Sequence, residues 1–93
     1  MEEKPRVGYR VLGAVKGVKG HCHAGHKVGD ELELSGHDAG GLCGFLYHDA
    51  FPYIVMLQFG GGFPAEWGNP DVVELDCMDK SNTVTVELKR IRE

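Results

Sequence analysis

Only one stretch of this chain, residues 42–59, carries apolar side chains at helical spacing, and that restricts the fold more than anything else in the sequence. Leu42, Phe45, Leu46, Ala50, Tyr53, Ile54 and Leu57 recur at three-to-four residue steps on one side. Pro52 falls inside the stretch, lacks an amide donor and disfavours helical geometry at Phe51. The expected result is a turn or two of helix, a break, and a second helix opened by Pro52 and capped by Asp49. Gly60-Gly61-Gly62 marks the stop.

One helix needs a partner surface, and the rest of the chain supplies it in period two. Val7, Tyr9 and Val11 alternate with Arg6, Gly8 and Arg10, so residues 6–15 read as a strand with one buried face. Gly13, Gly17 and Gly20 then mark a place to bulge or turn. Leu32 and Leu34 alternate with Glu31 and Glu33 in a short second strand. Residues 71–77 put Val73, Leu75 and Cys77 on one face, and residues 83–90 do the same with Val84, Val86 and Leu88, with Arg90 on the inward parity. Asp79-Lys80-Ser81-Asn82 has turn chemistry, so these two strands should form an antiparallel hairpin. With 93 residues there is room for one domain and one modest core. The fold class is therefore α+β: a small, mostly antiparallel sheet or half-barrel of about four strands, packed against one Pro-interrupted helix, with residues 1–5 as a disordered N-terminus.

No apolar run reaches the roughly 18 to 20 residues of a membrane span, and the N-terminus lacks the apolar stretch of a signal peptide, so a soluble cytoplasmic protein is expected, with no membrane partner. The net charge of −4 hides an asymmetry, because residues 4–29 carry Lys4, Arg6, Arg10, Lys16, Lys19 and Lys27 and no acid. Most of the 14 acids follow, which disfavours nucleic acid as a partner while leaving room for a local anion site near residues 10–27.

Chemistry concentrates in His21-Cys22-His23-Ala24-Gly25-His26, three imidazoles and a thiol in six residues. Three cysteines, Cys22, Cys43 and Cys77, are an odd number at wide spacing, which argues against a secreted disulfide framework. Cys22 and His26 form a C-x3-H pair that, with Cys43 and Cys77, makes a Cys3His set suited to a closed tetrahedral zinc site. The same ligands suit iron or a small iron–sulfur cluster, with His21 or His23 as alternates. Such a centre would tie three distant segments together in a domain with little core to spare. No two cysteines form the close C-x-x-C knuckle that marks the strongest zinc signatures, and Cys43 and Cys77 also read as small buried hydrophobes. His21, His23, His37 and His48 read equally as solvent-facing side chains, and His26 as a partner that caps Asp30.

The series Gly20-His21-Cys22, Gly25-His26-Lys27-Val28-Gly29-Asp30, Leu42-Cys43, Phe59-Gly60-Gly61, Pro64, Cys77-Met78-Asp79, Asn82 and residues 87–90 resembles the small prokaryotic proteins of the TIGR04076 family. The resemblance covers roughly residues 7–91 and implies a domain identity without implying an activity. Cys77-Met78-Asp79 stands where members commonly carry Cys-Pro-Asp, and Ala65 where they carry an aromatic.

Two further classes of function stand beside metal binding. A thiol-dependent enzyme would use Cys22, activated by His26 or by Lys19 and Lys27, and would show the two side chains hydrogen-bonded in a cleft. A non-enzymatic interaction module, binding a protein partner or forming a homo-oligomer, would use the loop bearing Phe63 and Trp67 or the helix, with Arg90 as a further binding residue. For Trp67 the alternative is that it covers the end of the small core. The triple glycine lacks the Lys-Ser/Thr that completes a phosphate loop.

Overall fold

The structure, a computed structural model, describes residues 7–92, so the expected disorder of residues 1–5 and the strand position of Arg6 lie outside the described residues. The elements are β1 (Arg10–Val18), β2 (Glu31–Leu34), α1 (Gly44–Gln58), a short 3-10 turn (Ala65–Trp67), β3 (Val72–Asp76) and β4 (Val84–Ile91). The strands form one sheet in the order β2-β1-β4-β3, and every neighbouring pair is antiparallel. The fold is α+β, a four-stranded antiparallel sheet with one helix across one face.

Period two decides which face the helix covers. Val11 pairs with Leu34 on one side and Arg90 on the other, Val15 pairs with Val86, and Val73 with Leu88, so these side chains share one surface. Leu46, Ala50, Ile54 and Leu57 meet them from α1, and together they make the buried core. Each fully buried Leu or Ile contributes about 1.5–3 kcal/mol. Packing therefore holds the helix, and Cys43, the capping residue just before it, makes no side-chain capping bond.

The helix differs from expectation in having no break. Pro52 sits within a continuous 15-residue α1. Proline removes the bond to the carbonyl four residues back, here that of His48, and both residues lie on the exposed side of the helix. Among the described residues Asp49 makes no capping bond; its carboxylate meets the His48 ring instead.

The first strand begins later and ends later than its sequence suggests. The Tyr9 amide donates to the Gln58 carbonyl, and the Gln58 side chain donates to the Val7 carbonyl, so residues 7–9 are bound to the end of α1 rather than to the sheet. Val7 and Tyr9 stay exposed as a result. At the other end β1 runs past Gly13 and Gly17, with a register shift between Val15 and Gly17 that absorbs one residue as a bulge.

Arg90 corrects a further expectation. It is 3% exposed, and its guanidinium donates to the carbonyls of Leu57 and Gly61 and twice to the Asp71 carboxylate, beneath the ring of Tyr9. Those bonds clamp the helix C-terminus to β4, so the residue is an internal fastening and not part of a binding surface. The hydrogen bonds from Arg92 and then Arg90 hold the Asp71 carboxyl below the usual carboxylate range. Among the described residues no helix is long and apolar enough to cross a membrane.

Candidate functional site

Three loops meet at the end of the sheet where β1 finishes and the β3–β4 hairpin turns. The hairpin is the most rigidly specified. Asp79 accepts from the amides of Ser81 and Asn82 through one carboxylate oxygen and from the Asn82 side chain through the other. The Asn82 bonds are the main reason the Asp79 carboxyl lies below its ordinary value. Thr83 donates from its hydroxyl to the Asp79 carbonyl, closing the turn. Cys77 stands at its mouth: its sulfur accepts the Val84 amide at 3.1 Å while its own amide donates to the Val84 carbonyl.

Asn82 carries this order into the next loop. Its side-chain oxygen accepts the His21 amide at 2.8 Å, and the Lys19 amide donates to the Thr83 carbonyl. Gly20 makes the approach possible, because its φ of +75° and the 2.5 Å from a built Cβ to the Asn82 oxygen leave room for no side chain. Cys22 follows directly, and a turn from its carbonyl to the Gly25 amide brings the chain round to His26.

The third loop delivers Cys43. The His26 Nε2 accepts the Cys43 backbone amide at 3.1 Å, so the His-rich loop caps the start of α1. That contact replaces the expected one: Asp30 is not capped by His26, and instead accepts the Lys27 amide. It also assigns the neutral His26 proton to Nδ1, since Nε2 must present a lone pair.

The loops border an open cavity of about 530 Å³. Cys22, His26, Cys43 and Cys77, drawn from three distant parts of the chain, all line it, and so does His23. His21 is not among the lining residues; its ring packs edge-on against His23 at 5.3 Å. The three thiols are free and half-buried. Among the described residues, no group of three or more His, Cys, Asp or Glu side chains is placed to hold a metal ion. No hydrogen bond joins Cys22 to His26 among the described residues, and the imidazole nitrogen that a thiol enzyme would use as base holds the Cys43 amide instead.

Sequence reasoning missed the residues that shape the cavity mouth. Phe45 and Met78 line it while remaining 73% and 64% exposed. The Asp79–Asn82 lock was visible only as turn chemistry; the reach of Asn82 to His21 depends on tertiary approach.

Phe63 and Trp67 lie outside this lining. Their rings stack at 5.6 Å with an interplanar angle of 20°, and Tyr53 approaches Phe63 at 6.1 Å. Trp67 is 73% exposed, so it does not cover the end of the core.

Compared with protein-family models, curated proteins and solved structures, the chain gives no match.

Proposed function

We propose that this domain binds a transition-metal centre, zinc or iron, in the cavity between its loops, with Cys22, Cys43 and Cys77 as thiolate ligands and His26 as a nitrogen donor. One observation supports the reading above all: three cysteines remote in sequence line the same cavity, with His26 beside them. Thiolate and imidazole are the donors that zinc and iron take in proteins. The one lone-pair nitrogen of the neutral His26 ring holds the Cys43 amide, so ligation requires the ring to release that amide, and loading should rearrange the start of α1. A cytoplasmic setting, which keeps thiols reduced, belongs to the same reading, as does membership of the family that the sequence resembles.

Elemental analysis of protein purified without chelator or oxygen tests it. Near-stoichiometric zinc or iron is expected, with Cys22→Ser or His26→Ala lowering metal content and thermal stability together. Less than about 0.1 metal per chain, with no uptake of added zinc, ends the reading.

A second reading, a non-enzymatic interaction module or homodimeric accessory subunit, is favoured by a separate observation, the exposed stack of Trp67 on Phe63. Exposed aromatics of this kind are enriched where proteins meet. Light scattering of the wild type and of Trp67→Ala tests it: a dimer that the substitution dissociates supports it, and a monomer in both removes the homodimer.

A further inference from the structure

Three cysteines line one cavity without forming a single-ion site among the described residues. A single tetrahedral zinc needs four donors each about 2.3 Å from one centre. Among the described residues no three donors are placed to hold one ion, yet Cys22, Cys43 and Cys77 all line the same cavity of about 530 Å³. An occupant larger than an ion, with a separate metal for each thiolate, would reach all three without the rearrangement that a single zinc or iron requires.

We propose that the occupant is a four-iron iron–sulfur cluster, with Cys22, Cys43 and Cys77 each bound to a different iron. This deepens the metal-centre reading and rests on it. Cysteine thiolate is the usual ligand of such clusters, and bridging sulfide supplies the bulk that fills the space between the cysteines. The surroundings suit it. Phe45, Leu46, Met78 and Val84 contribute apolar lining, and the Val84 amide donates to the Cys77 sulfur at 3.1 Å, the type of hydrogen bond that tunes cluster sulfurs. His23 and His26 line the same space, so a nitrogen donor is at hand for the iron that no cysteine reaches. Each thiol releases its proton to solvent as its sulfur–iron bond forms. With ferrous and ferric iron supplied equally, four sulfides close a cluster of charge 2+ without any further oxidant.

The test uses the full chain, reduced and held under anaerobic conditions. One portion receives equal ferrous and ferric iron with sulfide, and a second receives zinc alone; both are desalted before iron, zinc and acid-labile sulfide are measured. About four irons and four sulfides per chain, with broad absorption near 400 nm, are expected. Cys22→Ser, Cys43→Ser and Cys77→Ser should each lower cluster yield several-fold, while Glu74→Gln, on an exposed position outside the cavity lining, retains it. About one iron or zinc per chain with no retained sulfide overturns the cluster and leaves the metal-centre reading standing. Failure to retain either metal overturns both. The wild-type stoichiometry decides the matter even if a cysteine variant fails to fold.

Discussion

Gly20 and Gly25 lie in the same loop, both at positive φ, +75° and +85°, but only Gly20 is pressed against another segment. Replacing either with alanine forces an L residue into the left-handed region, at a cost of about 1–2 kcal/mol. A Cβ at Gly25 meets nothing within 4 Å. A Cβ at Gly20 would sit 2.5 Å from the Asn82 side-chain oxygen and 2.9 Å from the Ser81 carbonyl, so backbone must move. That movement stretches the bond from the His21 amide to Asn82, worth about 1 kcal/mol, and adds displacement of the turn behind it. Gly20→Ala should therefore cost about 1–2 kcal/mol more than Gly25→Ala, which for a domain of this size separates the two melting temperatures by about 5–15 °C. Thermal unfolding followed by circular dichroism, in metal-free buffer with reductant, measures the gap. Because Cys22 follows Gly20 by two residues, Gly20→Ala should also weaken zinc or iron uptake more than Gly25→Ala does. Equal melting temperatures for the two variants would refute the claim that the hairpin turn positions the His-rich loop.

Other consequences can be measured on the same preparations. Pro52→Ala restores the amide donor that α1 lacks and should raise stability by roughly 1–2 kcal/mol, the helical gain exceeding the added unfolded-state entropy; a lower midpoint in urea would show that proline is needed where it stands. Arg90→Met removes the guanidinium bonds to the carbonyls of Leu57 and Gly61, and at about 1 kcal/mol each the melting temperature should fall by at least roughly 8 °C. The Asp71 carboxyl is depressed in the folded state by Arg92 and Arg90, so it contributes stability above its unfolded value near 3.8 that is lost as pH falls through the lower folded value. Asp71→Asn should accordingly be less stable than wild type at pH 7 and converge on it in acid; a difference that persists unchanged below pH 3 would exclude this linkage.

Alternation and helical spacing were enough to specify the strands, the hairpin and the single helix, because side-chain periodicity follows directly from strand and helix geometry. They also put Val84, Val86, Leu88 and Arg90 on the inward face, where all four are buried. Local sequence failed where a distant group completed a backbone bond. Residues 7–9 have a strand-like pattern, but Gln58, 1% exposed, takes their hydrogen bonds to the end of the helix. Pro52 looks like a helix breaker until packing of Leu46, Ile54 and Leu57 on the sheet outweighs the one bond it removes toward solvent. Arg90 had a readable direction but no readable partner, since Asp71, Leu57 and Gly61 come from two other segments.

The sequence by itself determined which donors the chain owns and the type of element carrying each: a thiol and three imidazoles in one glycine-containing loop, a thiol before the helix and a thiol at the hairpin. Only the tertiary structure decided that Cys22, Cys43 and Cys77 share a cavity and that Arg90 does not serve a surface. The physical reason is that proximity between remote segments depends on which loops can approach, and here that rests on Gly20 lying against Asn82 and His26 holding the amide of Cys43.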